Sequence, residues 1–171
     1  DMLEVVITKV NGEDDPVTTN NSMNQPFIAL TSAPLKTVLI EEGTGTWCQF
    51  CPHGAVGIET ITSDHPDDVI AIAVHNGPTQ APDPMDFGTY DSELFDQVGA
   101  SGYPFAGVDR TLELNPFAAN LELAYQVIKT VNAPVSLTMD AVLDDSGMIT
   151  VDVSADVFAA ALDGDHRFSV V

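Results

Sequence analysis

The spacing of apolar and polar positions predicts a strand, a helix and a second strand in the middle of the chain. Residues 35–43 and 67–77 centre on runs of aliphatic and β-branched side chains, which are typical of buried strands. Residues 48–63 lie between them with apolar side chains at helical spacing, and Pro52 is tolerated in the first turn. A helix that joins two buried strands predicts a βαβ unit whose strands run parallel.

The pattern continues through two more helices and one more strand. Residues 76–90 contain three prolines and two glycines, so they are predicted to form a loop. Residues 91–100 begin with an acidic turn and predict a helix, and the apolar spacing over 115–133 predicts another. Residues 103–110, between these helices, are typical of a strand. The middle of the chain therefore predicts an α/β domain.

The two ends of the chain have a different pattern of apolar and polar residues from the middle. Residues 3–10 form a β-type run, and the polar stretch 11–26 is typical of a loop. Alternation on either side of "DDSG" predicts a β-hairpin after Pro134, and 166–171 predicts the start of a third strand. Because the chain opens on Asp1 and ends within a strand-like run, we expect a segment of a longer protein. The predicted regions are an N-terminal strand and loop (1–26), an α/β domain (27–133) and the start of a truncated β-rich domain (134–171).

The charge of the chain excludes some classes of partner. Asp and Glu number 26 against 5 Lys and Arg, which gives a formal net charge of -21. Such a surface repels nucleic acid and anionic lipid headgroups, so we expect no nucleic-acid partner. No apolar run is long enough to span a bilayer, so we expect no direct membrane insertion. The acidic residues are scattered and match no calcium-binding loop.

The two cysteines of the chain, Cys48 and Cys51, stand three residues apart and admit three interpretations. A structural zinc site needs about four ligands, and with His53 the segment supplies at most three. A purely structural disulfide would close a very small loop and stabilise the fold little. A redox pair fits the predicted position better, because a helix start stabilises a thiolate. We therefore favour the redox interpretation and expect no metal.

In a redox pair of this kind the two sulfurs have different roles. Cys48 would attack, because it is nearer the helix start and more exposed, and Cys51 would resolve the mixed disulfide. Trp47 would cover one side of the sulfur pair, although a buried core tryptophan is an equally good interpretation.

Two residues outside the cysteine motif are further candidates. If Glu41 faces solvent, strand alternation turns Glu42 inward beneath the cysteines, where burial favours its neutral form. The alternative is that both glutamates are exposed at the strand end. Pro104 follows Tyr103 at the start of a strand, which makes this bond a candidate cis peptide.

The segment "VLIEEGTGTWCQFCPHG", followed later by "GYPFAGVDR", resembles the thioredoxin superfamily. The combination is most similar to the thioredoxin-like outer-membrane-protein family of Gram-negative cell envelopes, whose members often carry β-rich C-terminal regions. The resemblance covers roughly residues 35–131. It implies a thioredoxin-like central mixed sheet flanked by helices, with a β-rich C-terminal extension. Gln49 and Phe50 between the cysteines, and the inserted loop 76–90, depart from the thioredoxin pattern.

The resemblance also implies roles for single residues. Cys48 would be the attacking cysteine, Cys51 the resolving cysteine, Glu42 the buried acid and Pro104 the cis-proline that packs against the cysteine pair. The backbone before Pro104 would pair with an extended substrate. The residues expected to contact that substrate are Trp47, Tyr103 and Phe50. The implied reaction needs no cofactor beyond the Cys48–Cys51 disulfide.

These observations predict an extracytoplasmic thiol–disulfide oxidoreductase, in the periplasm, at the outer membrane or secreted. Its partners would be protein thiols and disulfides, together with an unidentified redox partner. A different class remains open: a thioredoxin-fold binding or adhesion module of the cell envelope, without physiological redox turnover, whose working surface is the β-rich tail and the 76–90 loop. A copper- or zinc-handling thiol protein is the third interpretation.

Overall fold

The structure is a computed structural model that describes residues 2–27, 29–32, 34, 36–78 and 80–159. It divides the chain into two units. One unit is Leu35–Asn132, and the other combines Asp1–Pro34 with Ala133–Val171. No helix among the described residues is long and apolar enough to cross a membrane.

The first unit is built on a mixed sheet of four strands, which are β5 (Val38–Thr44), β6 (Val69–His75), β7 (Phe105–Val108) and β8 (Leu112–Leu114). They lie in the order β6-β5-β7-β8. β5 pairs with β6 in parallel, as predicted for the βαβ unit, and with β7 in antiparallel. β8 was not predicted, since its three residues follow too closely on β7 to form a separate run, and it pairs antiparallel with β7.

Three helices flank this sheet, and their ends differ from the predicted ones. They are α1 (Cys51–Asp64), α2 (Tyr90–Val98) and α3 (Ala118–Ile128). α2 ends where Gly99 takes the left-handed conformation, φ 71°. The prediction of a helix over 115–133 was too long at both ends. Phe117 is extended, with ψ 142°, and bonds from the N–H groups of Lys129, Thr130 and Val131 close the last turn.

Alternation along β5 sorts its side chains to the two faces of the sheet. Val38 and Ile40 point to the face covered by α1 and α3, where they pack with Ile61, Leu121 and Tyr125. On the other face, α2 contributes Leu94 to a smaller cluster with Val74 and Phe105. The predicted α/β fold, a thioredoxin-like mixed sheet between helices with a β-rich C-terminal extension, is confirmed.

The second unit consists of hairpins. The prediction of a loop over 11–26 was wrong, because that stretch contains β3 (Glu13–Asp14) and β4 (Ser22–Pro26). Asn11 and Gly12, with φ 54° and 87°, make the tight turn between β2 (Lys9–Val10) and β3. The predicted hairpin after Pro134 is confirmed, while the predicted strand at 166–171 lies outside the described residues. The strands are β1 (Met2–Val6), β2 (Lys9–Val10), β3 (Glu13–Asp14), β4 (Ser22–Pro26), β9 (Val135–Leu143) and β10 (Ile149–Val157).

The long β9–β10 hairpin has one apolar face. Its register places Leu143 opposite Ile149 and Met139 opposite Val153, so apolar side chains pair across the strands. The other face carries Ser, Thr and Asp residues. Both strands are exposed except for the first two residues of β9, which are partly buried. The turn is held by Asp144, whose Oδ1 accepts the N–H groups of Ser146 and Met148 at 2.8 and 2.9 Å.

Candidate functional site

A disulfide joins Cys48 and Cys51, whose Cα atoms are 5.4 Å apart. Cys51 is the first residue of α1, and Cys48 lies in the turn before it, so the predicted helix start at residue 48 was wrong by three positions. The reason is local: the Cys48 N–H bonds back to the Gly45 carbonyl at 3.0 Å, which curls the chain before the helix begins. Cys48 is 8% exposed and Cys51 4%. Both sulfur-bearing residues are therefore largely covered, and Cys48 is the more accessible of the two.

Trp47 lies beside the disulfide and is 39% exposed, so it is not a core tryptophan. Its indole Nε1 donates to the carbonyl oxygen of Asn76 at 2.7 Å. Its ring meets the ring of Tyr103 edge-on, with centroids 5.5 Å apart. Gly45 permits this placement, since a β-carbon there would lie 2.6 Å from the indole nitrogen. Phe50, between the cysteines, is 59% exposed.

The Tyr103–Pro104 peptide bond is cis, as predicted. The Tyr103 hydroxyl donates to the carboxylate of Asp91 at 2.8 Å, and burial together with that carboxylate raises the pKa of Tyr103 well above its usual value. Asp91 is buried and also accepts from the Asn76 side chain at 2.6 Å. Asn76 and Asp91 therefore tie Trp47 to Tyr103. The sequence indicated Asp91 only as part of an acidic helix start.

Glu42 is 2% exposed, so the prediction that it turns inward is confirmed. Its Oε1 atom is buried and has no hydrogen-bond partner among the described residues. It lies against α1, since a β-carbon on Gly54 would stand 2.0 Å from that oxygen. Gly54 follows Cys51 by three residues, so the carboxyl group lies under the first turn of the helix. Burial raises the pKa of Glu42 to about 7, and the charge of His75 partly offsets this rise.

The expectation that Glu41 faces solvent was wrong. Its side chain is 0% exposed, because α2 covers this face of the sheet. Arg110 binds the carboxylate in a bidentate pair, with Nη2–Oε1 2.6 Å and Nε–Oε2 2.7 Å, and the Tyr90 hydroxyl also donates to it. Burial alone would raise the pKa of Glu41, but these two partners lower it below its usual value.

The 76–90 loop is anchored beside the disulfide by carboxylates. Asp83 Oδ2 accepts the Thr46 N–H at 2.7 Å and lies 2.9 Å from Nδ1 of His75. Its Oδ1 accepts the Met85 N–H at 2.9 Å. Burial opposes ionisation of Asp83, but His75 and these two N–H groups hold its pKa well below the usual range. These contacts could not be predicted from the sequence, because the loop has no regular spacing and Thr46 lies 37 positions before Asp83.

No cluster of three or more His, Cys, Asp or Glu residues able to hold a metal ion occurs within the described part of the chain. His53 is exposed, and its ring contacts Phe117 edge-on. The structure thus joins Cys48 to Cys51, places the ring of Trp47 against that of Tyr103, and sets Glu42 beneath the helix that begins at Cys51.

No family model matches this sequence, and no curated protein matches it either. Solved structures that are similar in fold include the following two. HBP35 of Porphyromonas gingivalis is 20% identical with a TM-score of 0.52, and the match covers 72% of this chain and 43% of that one. A crystal structure of a protein from Agrobacterium tumefaciens is 14% identical with a TM-score of 0.50, covering 64% of this chain and 53% of that one. At these identities the likeness concerns the fold alone, and this chain spans about half the length of either neighbour or less.

Proposed function

We propose that this chain is a thiol–disulfide oxidoreductase of the thioredoxin superfamily that acts on protein thiols and disulfides through Cys48 and Cys51. The observation that carries the proposal is the position of the disulfide at the start of α1, above the buried carboxyl group of Glu42, whose Oε1 has no hydrogen-bond partner in the described part of the chain. A buried acid with a pKa of about 7 can both give and accept a proton at neutral pH. A disulfide that only stabilised the fold would not need such a group beneath it.

The chemistry is a two-electron exchange. A thiolate of the substrate attacks Cys48 Sγ, the Cys48–Cys51 bond breaks, and the Cys51 sulfur leaves as a thiolate that takes a proton from Glu42. The second substrate thiolate then attacks the substrate sulfur bound to Cys48. Cys48 leaves as a thiolate, and the two protons released by the substrate thiols pass to Cys48 and back to Glu42. The substrate is thereby oxidised to a disulfide, and the protein is reduced to a dithiol. The same steps in reverse reduce a substrate disulfide.

The surface near Pro104 supports a protein substrate. A groove of about 750 Å³ runs from Tyr103 and Pro104 along β8 to α3, and Leu112 and Leu123 are exposed in its wall. Its size and mixed lining suit an extended peptide segment. The net charge of -21 disfavours small anionic thiols. Because disulfides persist in oxidising compartments, the Cys48–Cys51 bond also supports an extracytoplasmic location, in the periplasm, at the outer membrane or outside the cell.

A second candidate is a thioredoxin-fold binding or adhesion module without redox turnover. The exposure of Cys48, only 8%, favours it, because an incoming thiolate has little access to the sulfur. The exposed apolar face of the β9–β10 hairpin favours it as well, because such faces mark interaction sites.

Two cysteine variants separate these candidates. Under the oxidoreductase proposal, the wild type reduces insulin disulfides in the presence of a dithiol, and Cys48→Ser abolishes this turnover. Cys51→Ser retains the attacking sulfur but cannot resolve, so it accumulates a mixed disulfide with insulin, visible by mass spectrometry. A wild type that exchanges with neither insulin nor a small dithiol would establish the binding module instead.

A further inference from the structure

His75 ends β6 at the edge of the sheet where β5 leads into the disulfide turn. The register pairs His75 with Thr44, and Glu42 with Ala73, so His75 and Glu42 lie on the same face of neighbouring strands, two positions apart. The side chain of His75 is only 16% exposed. The strand register thus places His75 on the face of the sheet where the carboxyl group of Glu42 lies beneath α1.

Asp83 fixes the ring of His75. Its side chain is 0% exposed and lies 2.9 Å from Nδ1 of the imidazole. The same oxygen accepts the N–H of Thr46, two residues before Cys48. Since an ionised carboxylate only accepts hydrogen bonds, Nδ1 carries the proton in this pair. One carboxylate of the 76–90 loop therefore links the histidine to the turn that carries the disulfide.

The other described neighbours of Glu42 are uncharged. β7 pairs Ala106 with it, α1 presents Gly54 and the bonded Cys51, and Pro116 lies ahead of α3. His53, in the first turn of α1, is exposed and turned toward Phe117. Among the described residues around Glu42, His75 is the group whose charge acts on this carboxyl.

Resting on the function proposed above, we propose that His75, oriented by Asp83, is a positioning residue that sets the protonation of Glu42 during thiol–disulfide exchange. The charge of the His75 imidazole favours the ionised form of Glu42, and the contact with Asp83 holds the ring in place. Glu42 itself transfers the proton to the Cys51 sulfur as the disulfide opens. His75 and Asp83 touch neither sulfur and act through Glu42.

The test is the pH dependence of reduction of Cys48–Cys51 by dithiothreitol, followed by the fluorescence of Trp47, the single tryptophan. After correction for the thiolate fraction of the reagent, the wild-type rate should fall as pH rises through the Glu42 midpoint. His75→Asn should move that midpoint up by about half to one pH unit, because it removes a nearby positive charge. Asp83→Asn should move it in the same direction, and Glu42→Gln should abolish the titration with or without His75→Asn.

Two matched variants control for the fold. Asp86→Asn alters the neighbouring loop anchor, whose side chain accepts the Gly77 N–H at 3.1 Å and which meets His75 through a backbone bridge that the substitution leaves in place. His65→Asn removes another histidine with a carboxylate partner, Glu122, at the far end of α1. Both should leave the midpoint where it is.

A second readout does not depend on turnover: the carboxyl carbon resonance of Glu42, titrated in the oxidised protein labelled with ¹³C-glutamate. If the wild type reacts with dithiothreitol but His75→Asn moves neither midpoint, the role of His75 is overturned and the oxidoreductase stands. If the wild type does not react with the dithiol at all, both proposals are overturned, whatever the resonance does. A midpoint that rises in both readouts for His75→Asn and Asp83→Asn, but not for the controls, supports the inference.

Discussion

Glu41 and Glu42 are neighbours on β5, and both are buried, yet their surroundings are opposite. Glu41 points to the α2 face and is bound by Arg110 and Tyr90. Glu42 points to the α1 face, and its Oε1 has no hydrogen-bond partner among the described residues. Accordingly the pKa of Glu41 is lowered and that of Glu42 is raised to about 7.

The difference teaches that burial alone does not decide what a carboxyl group does. Burial disfavours the charge of both groups by the same mechanism. Glu41 overcomes it with an ion pair, stays charged and holds the sheet to α2 and to the turn after β7. For Glu42 no ion pair of this kind offsets the cost of burying the charge among the described residues, so its pKa is raised to about 7. It therefore changes protonation near neutral pH, beneath a disulfide. One glutamate stabilises the fold, and the other is available for chemistry.

The largest expected effect comes from breaking the pair of Glu41. Arg110→Met leaves a buried carboxylate without its cation, and the free energy of unfolding at pH 7 should fall by about 3 kcal/mol or more. The lowered pKa of Glu41 means that its stabilisation is present above pH 4.5 and is lost as pH falls through the folded pKa. Urea denaturation should therefore show that Arg110→Met lowers the free energy of unfolding less at pH 4 than at pH 7.

The control for this prediction removes both charges. Arg110→Met combined with Glu41→Leu leaves no uncompensated carboxylate and should recover much of the lost stability at pH 7. A double variant no more stable than Arg110→Met, or an equal loss at both pH values, would show that the ion pair is not what keeps Glu41 charged.

The next effect has the opposite sign and concerns Glu42. Its pKa rises from 4.5 to about 7 on folding, which corresponds to about 3 kcal/mol. The stability that this proton contributes is fully present below pH 4.5 and is lost as pH rises to about 7, because the unfolded chain ionises this carboxyl group while the folded protein keeps it neutral. Glu42→Gln should thus be more stable than wild type at pH 8 by up to about 3 kcal/mol and equal to it at pH 4. Urea denaturation at both pH values measures this, with Glu59→Gln on the exposed side of α1 as the matched control.

Local patterns in the sequence predicted much of the fold and part of the site. Apolar runs predicted β5 and β6, the close spacing of Cys48 and Cys51 is compatible with the disulfide that joins them, and strand alternation predicted the burial of Glu42. Each of these depends on residues within a short stretch, where periodicity is informative. The charged state of Glu41 could not be predicted from a short stretch, because its partner Arg110 is 69 positions away and only the fold brings the two together.

The parts that the sequence did not predict depend on the same kind of distant contact. The anchoring of the 76–90 loop requires Asp83 to meet Thr46, 37 positions earlier. The burial of Asp91, read as an ordinary acidic helix start, depends on Tyr103 and Asn76. Strand β4, "SMNQP", could not be predicted from its largely polar residues, and only its pairing with β1 defines it as a strand.

The smallest expected effect tests how closely α1 sits on Glu42. Gly54→Ala would place a methyl group 2.0 Å from Oε1 of Glu42, and Gly57→Ala would place one 2.0 Å from the carbonyl oxygen of Pro116. We expect each to lower the free energy of unfolding by about 1–3 kcal/mol through overpacking, less the gain of alanine in a helix.

The obstacles at the two glycines differ in kind, and this makes a matched pair. The obstacle at Gly54 is the end of a side chain, so Glu42→Ala should rescue Gly54→Ala. The obstacle at Gly57 is backbone, so Glu42→Ala should not rescue Gly57→Ala. Urea denaturation of the three single and two double variants at pH 5, where Glu42 is largely neutral in the folded protein, separates this steric coupling from charge. Equal rescue of both glycine variants would mean that Glu42 is not packed against the first turn of α1, and then its proton could not reach Cys51 as proposed.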